Sequence, residues 1–320
     1  MKIKIYVYSN MLKSKINESR EIKANSLSAY MISLRKIHSG IETKIKFDDI
    51  KWLLKIDKIK VLLMKLKLST RKNYLTSIIV ALMTDPKKHK KLISSYRTIM
   101  DDTVAEYNEL MKTQELSETQ AENWATMEEL KAITTKLARI KAKILIKPEL
   151  DMKDLAVVQE HLVASLYTNL PPLRNDYAGM IIKKESDYNQ AEDKENYLIE
   201  GTKGYYFVLN QYKTAKTYGS KKIEVPKLLE YTIRKWLEVN PTDYFLINNK
   251  FKPLSPNSLT KLLNKIFAST GKKISSSMIR HIYLSNKYDA VLEEQEKDAG
   301  DMLHSVAVQQ GVYVKKQPLK

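Results

Sequence analysis

The chain of 320 residues contains no cysteine. That removes disulfides, thiol nucleophiles and sulfur-ligated zinc, and it points to a protein that works inside a cell. Glycine is scarce, at 8 residues, and no glycine run has the spacing of a phosphate-cradling loop or a dinucleotide fingerprint. No acidic cluster suits a pair of metal ions. No apolar run approaches the ~18 residues of a spanning helix, and the opening MKIKIYVYSN lacks the apolar stretch and cleavage site of a secretory signal. Acidic residues are short in one region only. Residues 1–100 hold 7 Asp and Glu against 23 Lys and Arg, a net of +16, whereas the other 220 hold 30 against 32.

What is present describes a soluble, globular chain long enough for two cores, with 43% hydrophobic and 29% charged residues. Almost the whole net charge of +18 falls in the N-terminal third. Concentrated positive charge of this kind suits a polyanion, because each neutralised phosphate releases a counterion. The lysines are spread over several helices and not along one amphipathic stripe, which argues against a membrane surface.

Periodicity divides the chain. SLSAYMISLRKIHSG sets Leu27, Tyr30, Met31, Leu34 and Ile37 at helical spacing, with Gly40 as a stop. DDIKWLLKIDKIKVLLMKL reads as a second helical region, and STRKNYLTSIIVALMT as a third with Ser69 as its cap. Asp85-Pro86 opens a fourth that ends near Lys112. The first ten residues alternate in a way that hints at a short strand. Residues 1–112 thus form a basic helical domain, and 113–123 (TQELSETQAEN), which has no basic residue, is the linker. In 124–320, Thr126 and Glu129 make a capping box that starts a helix. Another helix runs from about Asp151 until Pro171 and Pro172 break it. YLIE, YYFVLNQY and KKIEVP read as strands around the turn TAKTYGS, and helices resume at Pro226, at SPNSLTKLLNKIFAS and around 275–303. The expected fold class is mostly α with one small antiparallel sheet.

Five side chains in the second domain could carry chemistry as a set: Arg174 after the broken helix, Lys213 after a strand, Arg280 beside His281 in a helix, and His304 nine residues before Tyr313. The order and spacing of NLPPLRNDYAGM, NQYKTAKTYGSKKIEVP, SSSMIRHIYLS and DMLHSVAVQQGVYVK resemble the arginine, lysine, arginine and histidine–tyrosine boxes of the tyrosine recombinases, the phage-integrase superfamily. NWATMEELKAI resembles the entry helix of that family's catalytic domain, and the basic third resembles its helical (SAM-like) core-binding domain. The wording PPLRNDY and YKTAKTYG is closest to recombinases of large eukaryotic DNA viruses and related mobile elements. Four departures stand out. Ser277 occupies the usual histidine position three residues before the second arginine, and Leu303 replaces the glycine before the later histidine. Asp176 lies two residues after the first arginine and not three, and either Lys213 or Lys216 fits the lysine, Lys213 being preferred.

The resemblance implies cleavage and rejoining of duplex DNA through a 3′-phosphotyrosyl link, by a homo-tetramer on two DNA sites, at whatever intracellular location holds that DNA. Two arginines give paired, always-charged hydrogen bonds to non-bridging phosphate oxygens. His304 adds a donor, and losing one such donor costs about 3–4 kcal/mol of transition-state stabilisation. A lysine desolvated beside arginines can protonate the leaving 5′ oxygen, and the Tyr313 phenolate attacks. Ser277 offers a helix cap or a neutral donor to phosphate, and His281 is expected to pack behind Arg280. No metal, nucleotide or other cofactor is called for. The alternatives are relaxation of supercoils by the same chemistry, as in type IB topoisomerases, and a DNA-binding protein whose active site has decayed.

Overall fold

The computed structural model describes residues 2–314, and the chain divides into two compact units, Met1–Glu115 and Leu116–Lys320. The first unit is helical: α1 (Lys2–Ser19), α2 (Ala24–Gly40), a 3-10 turn (Ile50–Leu54), α3 (Ile56–Met64), α4 (Leu68–Leu82) and α5 (Lys90–Lys112). Leu34 and Ile37 of α2, Ile59 and Leu63 of α3, Leu75 and Ile78 of α4, and Tyr96 of α5 share one buried cluster with Trp52. α2 and α3 each bury one stripe, Leu27, Met31, Leu34 and Ile37 in α2 and Ile59 and Leu63 in α3, and the lysines of these two helices face water. The interior polar groups are satisfied: the Trp52 indole donates to Phe47 O (3.0 Å) and the Tyr96 hydroxyl to Leu53 O (2.7 Å). Arg71 is buried too, donating to Leu63 O (3.2 Å) and to the Glu106 carboxylate (2.9 Å). One cation of the basic third is thereby committed to structure.

Several sequence expectations change here. The alternating N-terminus is helix, not strand. Leu12 and Ile16, one turn apart, are buried in the later part of α1, and a helix once nucleated extends at one bond per residue. The second helical region breaks at Lys55 into the 3-10 turn and α3. Ser69 lies inside α4, whose cap position is Lys67. The helix expected from Pro86 begins at Lys90, after a turn in which Asp85 accepts from Lys88 N (3.1 Å). The unit division falls inside segment 113–123, which also holds a five-residue helix, α6 (Glu118–Glu122), with a Ser117–Gln120 capping box.

The second unit follows with α7 (Met127–Ile144), α8 (Met152–Asn169), β1 (Ile181–Lys184), β2 (Tyr197–Gly201), β3 (Gly204–Leu209), α9 (Ala215–Tyr218), β4 (Lys221–Glu224), α10 (Lys227–Leu237), α11 (Pro256–Ile266), α12 (Ser276–Asp301) and α13 (Val306–Val308), and ends in a π-helical turn, Gln309–Tyr313. The Thr126–Glu129 capping box starts α7. Asp151 caps α8, accepting from Lys153 N (2.7 Å) and Asp154 N (2.8 Å). From Val158 to Thr168 every residue of α8 is buried, which makes it the central helix of the unit. Polar Gln159 is tolerated there because its side chain exchanges two hydrogen bonds with the Ile247 backbone (3.0 and 2.7 Å).

The sheet, in order β1-β2-β3-β4, is mixed and not antiparallel. β1 runs parallel to β2, pairing Ile181 with Tyr197, and the excursion 185–196 supplies the crossover that parallel pairing requires. β2 and β3 form a tight hairpin with Gly201 opposite Gly204. Gly204 has φ +132°, and a side chain there would meet the Glu230 carboxylate. Leu198 and Phe207 face the main core, while Tyr197, Ile199, Tyr206 and Val208 form a smaller cluster on the other face. Among the described residues, no helix is long and apolar enough to cross a membrane.

Candidate active site

The chain leaves α8 at Asn169, where Leu170 turns extended ahead of Pro171 and Pro172. The following loop is locked from beneath. The Tyr167 hydroxyl donates to Arg174 O, and Tyr177, fully buried, packs edge-on against Tyr167 (5.7 Å between ring centres) and Phe207 (5.3 Å). The Arg174 side chain is left exposed on this rigid base.

Two asparagines carry the loop to its neighbours. Asn175 accepts from the Ser276 hydroxyl (2.9 Å), 101 residues away in sequence, and donates to Pro256 O (3.1 Å) and to the Thr260 hydroxyl (3.0 Å). The Arg174 loop is thus pinned to the starts of α11 and α12. Asn196 is buried and fully used. Its amide donates to Asp176 O (3.1 Å) and Gln211 O (2.9 Å), while its oxygen accepts from Asn210 N (2.9 Å) and Gln211 N (2.8 Å). One side chain therefore clasps the arginine loop to the turn that leads to Lys213. Removing it would orphan four backbone groups.

Arg174, Asp176 and Arg280 lie close enough at this junction for their charges to act on one another, and among the described residues no ion pair joins the two arginines to Asp176. Burial raises the Asp176 pKa, opposed by hydrogen bonding to the Arg174 backbone and by the positive charges of Arg174 and Arg280. Burial lowers the Arg280 pKa, and the Arg174 charge lowers it further against the pull of Asp176. Two guanidiniums near one carboxylate leave a surplus positive charge, which suits an anion such as a phosphodiester.

The three consecutive serines divide their work. Ser275 caps α12, accepting from Met278 N (3.3 Å); Ser276 is buried and holds Asn175; Ser277 is exposed. Ser277 is therefore not the cap, and the neighbour at 276 is the serine that ties the two arginine segments together. His281 is exposed and does not pack behind Arg280. β3 ends at Leu209, so Lys213 stands in the turn beyond the strand. The turn is closed by a hydrogen bond from the Tyr212 hydroxyl to Gly219 O (2.8 Å). Lys213 and Lys216 are both exposed, and among the described residues neither makes a hydrogen bond or ion pair. The expected desolvated lysine beside the arginines is not formed.

His304 and Tyr313 come together at the far end of α12. The helix closes with His304 N on Ala299 O (3.0 Å) and Leu303 N on Gly300 O (3.1 Å), a pattern that puts Leu303 in the left-handed region at φ +58°. Glycine would adopt that conformation without cost, so the Leu303 departure has a physical consequence of roughly 1–2 kcal/mol. His304 and Tyr313 stack, with ring centres 5.1 Å apart and planes at 20°. His304 Nδ1 lies 3.3 Å from Ser305 O, and Nε2 is buried without a partner. Tyr313 is exposed and ends the π-helical turn, a rare geometry frequent at functional positions. Among the described residues, no hydrogen bond, ion pair or ring contact joins this pair to Arg174 or Arg280.

Asn175, Ser276 and Asn196 were not singled out by sequence reasoning. Asn196 carries a weak signal: a strand-averse residue directly before the apolar run YLI. Among the described residues, no group of three or more His, Asp or Glu could hold a metal ion.

No protein-family model and no curated protein matches this chain. A solved structure of XerA recombinase is similar over 94% of this chain and 92% of its own, at 12% sequence identity and a TM-score of 0.31. At those values the likeness carries no inference about chemistry here.

Proposed function

We propose that the protein is a DNA strand transferase of the tyrosine-recombinase kind, cutting and rejoining duplex DNA at paired sites as a homo-tetramer. The reading is carried by the convergence of Arg174 and Arg280, from segments braced by Asn175 and Ser276, on one carboxylate with positive charge to spare. In this reading the guanidiniums bind the two non-bridging oxygens of a DNA phosphate, each with paired N–H donors. The Tyr313 oxygen forms a bond to phosphorus while the bond to the 5′ oxygen breaks. Lys213, or Lys216 on the same turn, gives that oxygen its proton. His304, stacked on the nucleophile, donates to the phosphoryl group. The reverse attack by a 5′ hydroxyl reseals the strand, so neither ATP nor metal enters the balance. The basic first unit supplies most of the sequence-independent grip, and the protein would reside with its DNA inside the cell.

A second reading, a DNA-binding protein without cleavage activity, is favoured by the exposed lysines and by the lack, among the described residues, of any contact between the His304–Tyr313 pair and the arginines. The deciding experiment incubates the protein, with EDTA present, on nicked suicide duplexes tiled from the DNA flanking its gene. A denaturation-resistant protein–DNA adduct, absent with Tyr313→Phe, is the expected result. No adduct on any duplex would favour the non-catalytic reading.

A further inference from the structure

Between β3 and β4 the chain leaves the sheet for an excursion, residues 210–220, in which no residue is buried. Leu209 at the end of β3 has Lys221 of β4 as its register partner, so the excursion starts and ends at one place. It is closed by its own hydrogen bonds. Ala215 N bonds to Tyr212 O (3.1 Å), Tyr218 N to Thr214 O (3.1 Å) and Gly219 N to Ala215 O (2.8 Å), and the Tyr212 hydroxyl donates to Gly219 O (2.8 Å). Gly219 has φ +67°, a left-handed value that glycine takes at no steric cost. At its base, Asn196 bonds both the O and the N of Gln211, and also Asp176 O in the arginine loop. One side chain therefore ties this closed knob to the Arg174 segment.

Two features of the knob call for a partner. The first is charge. Positions 210–222 (NQYKTAKTYGSKK) hold Lys213, Lys216, Lys221 and Lys222 and no acid, whereas the last 220 residues together net only +2. Lys222 is engaged, with Glu224 (2.9 Å) and over the Tyr206 ring. Lys213, Lys216 and Lys221 are exposed, and among the described residues they make no ion pair or side-chain hydrogen bond. The second feature is Tyr218, which ends α9 with 63% of its surface exposed. Among the described residues its side chain has no hydrogen bond or ring contact. A bare ring among free lysines has both parts of a single-strand platform: cations that follow the phosphates, and a flat face on which a base stacks. A base inside a duplex offers no such face, because its neighbours cover both sides.

We infer that Tyr218 and the lysines around it form a stacking platform for an unpaired nucleotide of single-stranded DNA. The base lies on the Tyr218 ring, and the flanking phosphates lie against Lys216 and Lys221. Strand transfer creates such a nucleotide. Once the bond to the 5′ oxygen breaks, the freed strand must leave its complement, and another 5′ end must take its place. A platform on the same turn as the lysine assigned to protonate that oxygen holds the incoming end near the atom that attacks. This role in transfer rests on the strand-transferase reading, whereas the binding of an unpaired strand does not.

The first test needs no cleavage. The full-length protein and its Tyr218→Ala and Tyr218→Phe variants are titrated, at fixed salt, with a short oligothymidylate and with a fully paired duplex of the same length. Tyr218→Ala should weaken oligothymidylate binding about tenfold, and Tyr218→Phe, which keeps the ring, should stay within about twofold of the unaltered protein. The salt slope should be the same for Tyr218→Ala and shallower by about one phosphate for Lys216→Gln. Unchanged oligothymidylate affinity in Tyr218→Ala, or an equal loss on the paired duplex, would overturn the platform. The second test supplies a 5′-hydroxyl strand to the trapped covalent complex and follows rejoining against strand concentration. Tyr218→Ala should raise the half-saturating concentration about tenfold and leave the saturated rate as it was. An unchanged half-saturating concentration would overturn the role in transfer. A protein that forms no adduct on any flanking duplex, yet binds oligothymidylate through Tyr218, would sink the strand-transferase reading and keep the platform.

Discussion

At its start α12 meets the Arg174 loop through a bond from buried Ser276 to half-buried Asn175, whereas at its end it carries His304 and Tyr313 on a segment whose hydrogen bonds stay, among the described residues, within positions 295–314. The arginine end is over-determined: Tyr167, Asn196 and Ser276 each grip the loop from outside it, while its own Asn175 and Tyr177 reach out to Pro256 and Tyr167. The tyrosine end is local, a stacked pair closed on itself by a helix-capping turn. Clamping a phosphate requires pre-set geometry, because misplaced donors lose most of their value. Delivering a nucleophile requires the group to arrive intact. In the strand-transferase reading, the two constructions suit those two tasks.

The largest effect is expected where the clamp is cut. Arg280→Ala should lower single-turnover cleavage of a suicide duplex by at least a hundred-fold, and Arg280→Lys should not restore it, because a point charge cannot replace a planar fork. Equal rates for Arg280→Lys and the unaltered protein would show that only charge matters there. Next comes the clasp. Asn196→Ala orphans buried backbone groups and should cost about 1–3 kcal/mol of stability, read as a lower denaturation midpoint. It should also slow cleavage when assayed well below that midpoint. Cleavage at the unaltered rate would mean that the lysine turn does not need its tie to Asp176.

Much of this comparison was legible in the sequence, but unevenly. The helices with one apolar stripe were readable because 3.6-residue periodicity survives any tertiary context, and the Thr126–Glu129 capping box because capping is local. β1 was not: four residues, two of them lysine, hold their place by pairing with a strand beyond a long excursion and by a bridge from Ile181 to Tyr244. Ser277 attracted attention by spacing, yet spacing cannot say which of three adjacent serines faces inward; only Asn175, brought from 101 residues away, decides that. The arginines and the histidine–tyrosine pair were found by their order in the chain. The helix expected around 275–303 is α12, Ser276–Asp301, but order in the chain alone did not show that it separates the arginines from the histidine–tyrosine pair.

The core beneath the arginine end makes a pH prediction. Burial, with Lys141 nearby, holds the His161 pKa down to about 4 from 6.5. Between those values the unfolded chain takes up a proton that the folded chain refuses, so this group's contribution to stability falls as pH drops from about 6.5 to about 4. The loss is on the order of 2–3 kcal/mol. His161→Gln should flatten that part of the acid profile in denaturant melts, and an unchanged slope would place the acid sensitivity elsewhere.

The smallest effect belongs to the tyrosine end. Leu303→Gly should relieve the left-handed strain and stabilise the capping turn by about 1 kcal/mol, seen as slower amide exchange at His304 N with no change in Arg280-dependent DNA binding. Faster exchange would show that the Leu303 side chain, and not the turn, holds the tail.

The central claim is that Tyr313 attacks the DNA phosphate. Trapping the adduct on a suicide duplex, digesting it with protease and sequencing the DNA-linked peptide by mass spectrometry tests that claim most directly. The account predicts a single phosphotyrosyl linkage, at Tyr313. A linkage at Tyr288, the nearest other tyrosine along the chain, or at any other residue would contradict it.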